Sequence, residues 1–204
     1  MLAPPCIYQV TGASGNQTTL PADGAQTITD VPMTQVLVEY NNRSTFELVD
    51  GKVHILKPGI YRVSGSIYMN ADYNYCWVGA YIRKQDSLGG AYSEINATRL
   101  SKPDGRIFKA ADAIYAMHTA SYPDGPTSII PRDFLTYQGG ISVASKIISV
   151  TNTTTYISIA GRQRLGAGAP YTTSTLSGSK IDDSNAATFI CIECVTTDMN
   201  DLDV

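Results

Sequence analysis

The sequence is short of charge, of histidine and of any long apolar run, and each shortage removes a class of function. Charged residues fill only 16% of the 204 positions and the formal net charge is −3. That balance argues against the basic face that neutralises phosphates, and no nucleic-acid binding is expected. No stretch approaches the ~20 consecutive apolar residues of a membrane helix, and no membrane insertion is expected. "MLAPPCIYQV" at the start has neither a basic opening nor a long apolar core. No signal peptide is read there, and the expectation is a chain made and kept in a cytoplasm until something releases it.

Catalytic chemistry is equally thin. Two histidines are present. His54 alternates with Val53 and Ile55 in a strand-like run, and His118 in "AIYAMHTA" has no Ser or Cys nucleophile motif beside it. "VTGASGNQ" has loop glycines but lacks the Lys-Ser/Thr pair of a phosphate cradle. The four cysteines are Cys6, Cys76, Cys191 and Cys194. "CIEC" has the spacing of half a zinc site or a redox pair, yet it sits in the β-rich run "TFICIECVT", where positions three apart point to opposite faces. No second CxxC or nearby His completes a metal set, so the thiols read as structural. Asp182 and Asp183 read as a solvated loop, and Asp198, Asp201 and Asp203 as an acidic tail. A loop Ca²⁺ site at Asp182 or Asp183 is the alternative and is not adopted. No catalytic, cofactor-binding or metal-ligating residue is assigned, and the protein is read as not an enzyme.

What the sequence does have is strands. In "KPGIYRVSGSIYM" the odd positions Tyr61, Val63, Ile67 and Met69 are apolar and Arg62, Ser64 and Ser66 are polar, the period-2 pattern of a strand half in a core. "QVLVEY" is a further candidate, and "FELVDGKVHIL" reads as a hairpin about Asp50-Gly51. "YCWVGAYIRK" puts Cys76, Val78, Ala80 and Ile82 on one face and Tyr75, Trp77, Gly79 and Tyr81 on the other. "GISVASKIISV", "TTYISIAG" and "ATFICIECV" follow. Many short strands, regular turn signals and almost no helical periodicity predict an all-β jelly-roll sandwich. Residues 1–33 lack periodicity and are rich in Gly, Thr, Pro and Ala; they are expected to form an extended N-terminal arm or anchor, dispensable for folding. Residues 34–196 would be the head and 197–204 the acidic tail. The middle, about 85 to 140, carries two Pro-Asp-Gly turns, at Pro103 and Pro123.

The order of these strands resembles the tumour-necrosis-factor and complement globular-head jelly roll. "FELVDGKVHILKPGIYRVSGSIYM" followed by "YCWVGAYIRK" is similar to its front half, including the "pGxY" strand. "GGISVASKIISVTNTTTYISIAG" resembles its later pair of strands, and "ATFICIECV" its closing strand. The resemblance implies a head that forms trimers and acts by shape and contact. Such heads occur on spikes, fibres and capsid decorations of viruses and phages. This gives a homotrimer in a virion, joined to other particle proteins by its N-terminal arm, with a cell-surface glycan or protein receptor as the target. Contacts to the target are expected from 85–140 and from the loop 165–187.

Tyr75, Trp77 and Tyr81 make one face of their strand aromatic while the other is apolar, and a strand with two non-polar faces must be covered on both. The resemblance supplies the second cover as the trimer interface, with Tyr156 joining the first three on the three-fold axis. The alternative function is a carbohydrate-binding β-sandwich module using Tyr and Trp as stacking platforms; a glycan-acting enzyme ranks below it.

Overall fold

The computed structural model describes residues 6–13, 17–20, 27–71, 75–101, 137–165, 180–182 and 188–197. Among them the strands are β1 (Cys6–Thr11), β2 (Gln17–Thr19), β3 (Thr29–Val31), β4 (Gln35–Tyr40), β5 (Phe46–Val49), β6 (Lys52–Ile55), β7 (Gly59–Ala71), β8 (Tyr75–Gln85), β9 (Ser93–Ser101), β10 (Tyr137–Val150), β11 (Thr155–Leu165), β12 (Lys180–Asp182) and β13 (Phe189–Thr196). They form two antiparallel sheets. The first runs β2-β12-β7-β13-β1-β4, with β10 on the other side of β7; the second runs β5-β6-β11-β8-β9, with β3 also pairing β11.

Alternation places the core between them. On β7, Tyr61, Val63, Ile67 and Met69 have no accessible surface. Between Tyr61 and Met69 the one odd position without a large side chain is Gly65. A Cβ there would lie 2.8 Å from the Phe189 carbonyl oxygen and 2.9 Å from Ile159 Cδ1, so a bare backbone lets the facing sheet approach. Val78, Ala80 and Ile82 of β8 and Ile157 and Ile159 of β11 close the core from the second sheet. The hairpin at Asp50-Gly51 forms as read, with φ of 48° and 74° at its two central residues and Val49 opposite Lys52, the primed turn that matches strand twist. In "KPGIY" the Tyr61 hydroxyl donates back to the Lys57 carbonyl at 2.6 Å. At Gly59 a Cβ would lie 2.5 Å from the Thr196 carbonyl oxygen.

The N-terminal boundary is a correction. The described residues of 1–33 are not an arm outside the head. β1 lies between β13 and β4, hydrogen-bonded along both edges, and Tyr8, Val10, Leu20, Val31 and Met33 are buried in the core. Their signal is weak in the sequence because the strands are six and three residues long and separated by Gly, Thr and Pro. The acidic tail from 198, His118, the turns at Pro103 and Pro123, and most of 85–140 and 165–187 lie outside the described residues.

Candidate interaction surfaces

The second sheet turns a polar and aromatic face away from the core. Asp30 of β3 lies opposite Ala160 of β11, and Ser158 lies opposite Arg83 of β8. This register gathers a cluster. Asp30 Oδ1 accepts from the Arg83 guanidinium and from the Ser158 hydroxyl at 2.9 Å. Oδ2 accepts from the Tyr92 hydroxyl. The Arg83 guanidinium also stacks 3.7 Å from the centroid of the Tyr92 ring. Burial, and then the Asp30 carboxylate, push the Tyr92 phenol above its ordinary value. Arg83 is buried in this cluster, its charge met by a carboxylate and an aromatic face while its Nε has no hydrogen-bond partner among the described residues.

Three of the four predicted aromatic residues occupy the same face. Trp77, Tyr81 and Tyr156 do share it, as alternation and the β8–β11 register require; the Tyr75 backbone pairs with Leu165, and its side chain lies outside the described ones. Their surroundings differ from an open patch. Tyr81 has 0% exposure, and its hydroxyl accepts from Arg99 Nε at 2.9 Å. The guanidinium groups of Arg99 and Arg162 stand 5.2 Å and 5.5 Å from the Trp77 ring centroid. Part of the second cover over β8 is therefore supplied within the chain, by the Arg99 and Arg162 guanidinium groups beside the aromatic rings. Tyr156 stacks on His54 with centroids 4.3 Å apart. His54 Nδ1 lies 2.7 Å from Glu47 Oε1 and Nε2 lies 2.8 Å from the Thr153 carbonyl, so this strand histidine ties β5, β6 and the turn before β11 together.

The first sheet presents a different outer face. Its register lines up Tyr40, Ile7, Glu193, Arg62 and Ile147 across five strands. Arg62 and Glu193 pair at 2.8 Å in the middle of the row. The neighbouring row is Val38, Gln9, Cys191 and Ser64. β4 is the edge of this sheet and is exposed along its whole length. A register shift between Gln9 and Val10 leaves Leu37 with no partner on β1. Leu37 is 44% exposed and Tyr40 53%, with Val36, Val38, Ile147 and Val195 also open. Sequence reasoning identified this strand but not its position; a run of apolar residues with both faces open was the available signal.

Cys191 and Cys194 point to opposite faces. Cys191 lies on the outer row, whereas Cys194 packs against the core. Among the described residues no group of three or more His, Cys, Asp and Glu side chains is placed to hold a metal ion, and no helix is long and apolar enough to cross a membrane.

No family model matches the sequence, and no curated protein matches it. Solved structures do. Murine APRIL at pH 5.0 superposes with a TM-score of 0.51 at 12% identity, covering 93% of this chain and 98% of that one. Murine APRIL at pH 8.0 gives 0.50 at 11% identity over the same shares. At such low identity the likeness carries the fold and nothing finer, and with the two-sheet topology it gives the conclusion that this chain has the TNF-like jelly-roll fold.

Proposed function

We propose that the protein is a non-catalytic head that assembles as a homotrimer and works by contact. The observation that carries this reading is the outer face of the first sheet, where Val38 and Tyr40 stand exposed on the bare apolar edge β4 and Ile147 stands exposed beyond the Arg62–Glu193 pair. Burying each such side chain contributes about 1.5–3 kcal/mol relative to exposure, and contiguous exposed apolar area on a monomer is the usual mark of an interface. The three-fold count comes from the resemblance to the TNF-like heads. An axis through Tyr75, Trp77, Tyr81 and Tyr156 is the competing placement. It has less to offer a neighbour, because Tyr81 has no surface left to bury and Trp77 already carries two guanidinium groups.

The setting we propose is a virus or phage particle, as a spike, fibre head or capsid decoration, with the virion as its location and a glycan or protein receptor as its target. This rests on the sequence resemblance alone. Docking to other particle proteins cannot use all of residues 1–33, since β1 and β3 are built into the sandwich. A carbohydrate-binding role for Trp77 would require a sugar to displace Arg99 or Arg162 from the ring. The solution mass tests the reading: three times the 21.9 kDa chain mass is expected at micromolar concentration, and a single chain mass overturns it. Detection of the chain in purified particles tests the setting separately.

A further inference from the structure

We infer that Cys6 and Cys194 form a redox-closable pair: a cross-strand disulfide that staples the β1–β4 edge of the first sheet to β13. Cys6, the first residue of β1, is the direct register partner of Cys194 on β13. Directly opposed residues of an antiparallel pair lie about 4.5–5.5 Å apart at Cα, inside the span of about 4.4–6.8 Å that disulfides bridge. Both side chains are on the core side. Cys6 is a buried member of the core and Cys194 packs against it. Cys194 is also opposite Tyr61 on β7, in hydrogen-bond contact with its hydroxyl. Cys6, Cys194 and Tyr61 thus stand side by side on three adjacent strands. Cys191 cannot take either place, because it belongs to the outer row, opposite Gln9.

The consequence follows from topology. β4 is held to the sandwich only through β1 among the described strands, so a bond from β1 to β13 fixes the edge that presents Val36, Leu37, Val38 and Tyr40. Closure needs a disulfide oxidant, for which oxidised glutathione serves. The more accessible Cys194 thiolate attacks one glutathione sulfur, forming a mixed disulfide and releasing one glutathione thiolate. The Cys6 thiolate then attacks the Cys194 sulfur and displaces the second glutathione. Two protein thiols are oxidised, one glutathione disulfide is reduced, and the two thiol protons pass through solvent to the two released glutathione thiolates. Burial raises both thiols above their ordinary value, so the thiolate fraction is small at neutral pH and closure speeds up as pH rises.

The test incubates the reduced, folded full chain with oxidised glutathione and follows intact mass and a non-reducing peptide map. The expected result is loss of two hydrogens, a link between the peptides holding Cys6 and Cys194, and a thermal midpoint raised by about 5–15 °C. Cys6→Ser and Cys194→Ser should each abolish the link, while Cys191→Ser and Cys76→Ser keep it. Should a serine variant fail to fold, the wild-type map decides alone. An unchanged thiol count, a link between any other pair, or arrest at a glutathione adduct on Cys194 overturns the inference.

Discussion

The two sheets share one core but differ in what they show to the outside. The second sheet partly covers itself: Asp30 gathers Arg83, Ser158 and Tyr92, and Arg99 and Arg162 stand beside Trp77 and Tyr81. The first sheet leaves apolar side chains open along β4 and at Ile147 and Val195. A face that has spent its aromatics on its own arginines has little left for a neighbour. A face with an exposed apolar edge gains from one. The lesson is that aromatic content alone does not mark an interface; the accessible remainder does.

The largest expected effect concerns the boundary. Deleting residues 1–33 removes β1 from between β13 and β4, together with the buried Tyr8, Val10, Val31 and Met33. The deletion should abolish the cooperative thermal transition, and a truncated chain that melts like the full one would show these strands to be dispensable. Next, Asp30→Ala should lower stability by about 3 kcal/mol in urea titration, because it leaves Arg83 buried without its carboxylate. A loss under about 1 kcal/mol would mean that the second sheet's face is not closed by this pair.

A smaller effect separates core from surface by pH. Burial raises the Cys6 and Cys194 thiols from 9.0 and the Tyr8 and Tyr61 phenols from 10.0. A raised folded value makes the protonated form the native one. The associated stability is fully present below the unfolded value and is lost as pH rises through the folded value. Denaturant midpoints should hold steady below pH 9 and fall above it, and flat stability to pH 11 would contradict the buried placement.

Much of the fold was legible because β7 and β8 are long enough for alternation to repeat: Tyr61 through Met69 and Val78 through Ile82 fell on the core side as their spacing requires. The hairpin at Asp50-Gly51 was written in its turn residues. β1 and β3 were not legible. A six-residue and a three-residue strand carry too few periods, and what holds them is pairing with β13, β4 and β11, far along the chain. The site was read least well for the same reason. Alternation grouped Trp77 with Tyr81 on one face, but only the register reveals that Arg99 lies opposite Gly79 on β9 and Arg162 opposite it on β11. The opposition of Cys6 and Cys194 is likewise a product of register, invisible in the local spacing of "CIEC".

The most direct test compares two charged variants by solution mass. Val38→Glu with Tyr40→Glu places like charges on the open row of the first sheet, and Trp77→Glu places one on the self-covered face of the second. With circular dichroism showing intact β structure in both, the first variant should run as a single 21.9 kDa chain and the second should keep the mass of the proposed trimer. A trimer that survives Val38→Glu/Tyr40→Glu but falls apart with Trp77→Glu would contradict the assignment and place the axis on the aromatic face instead.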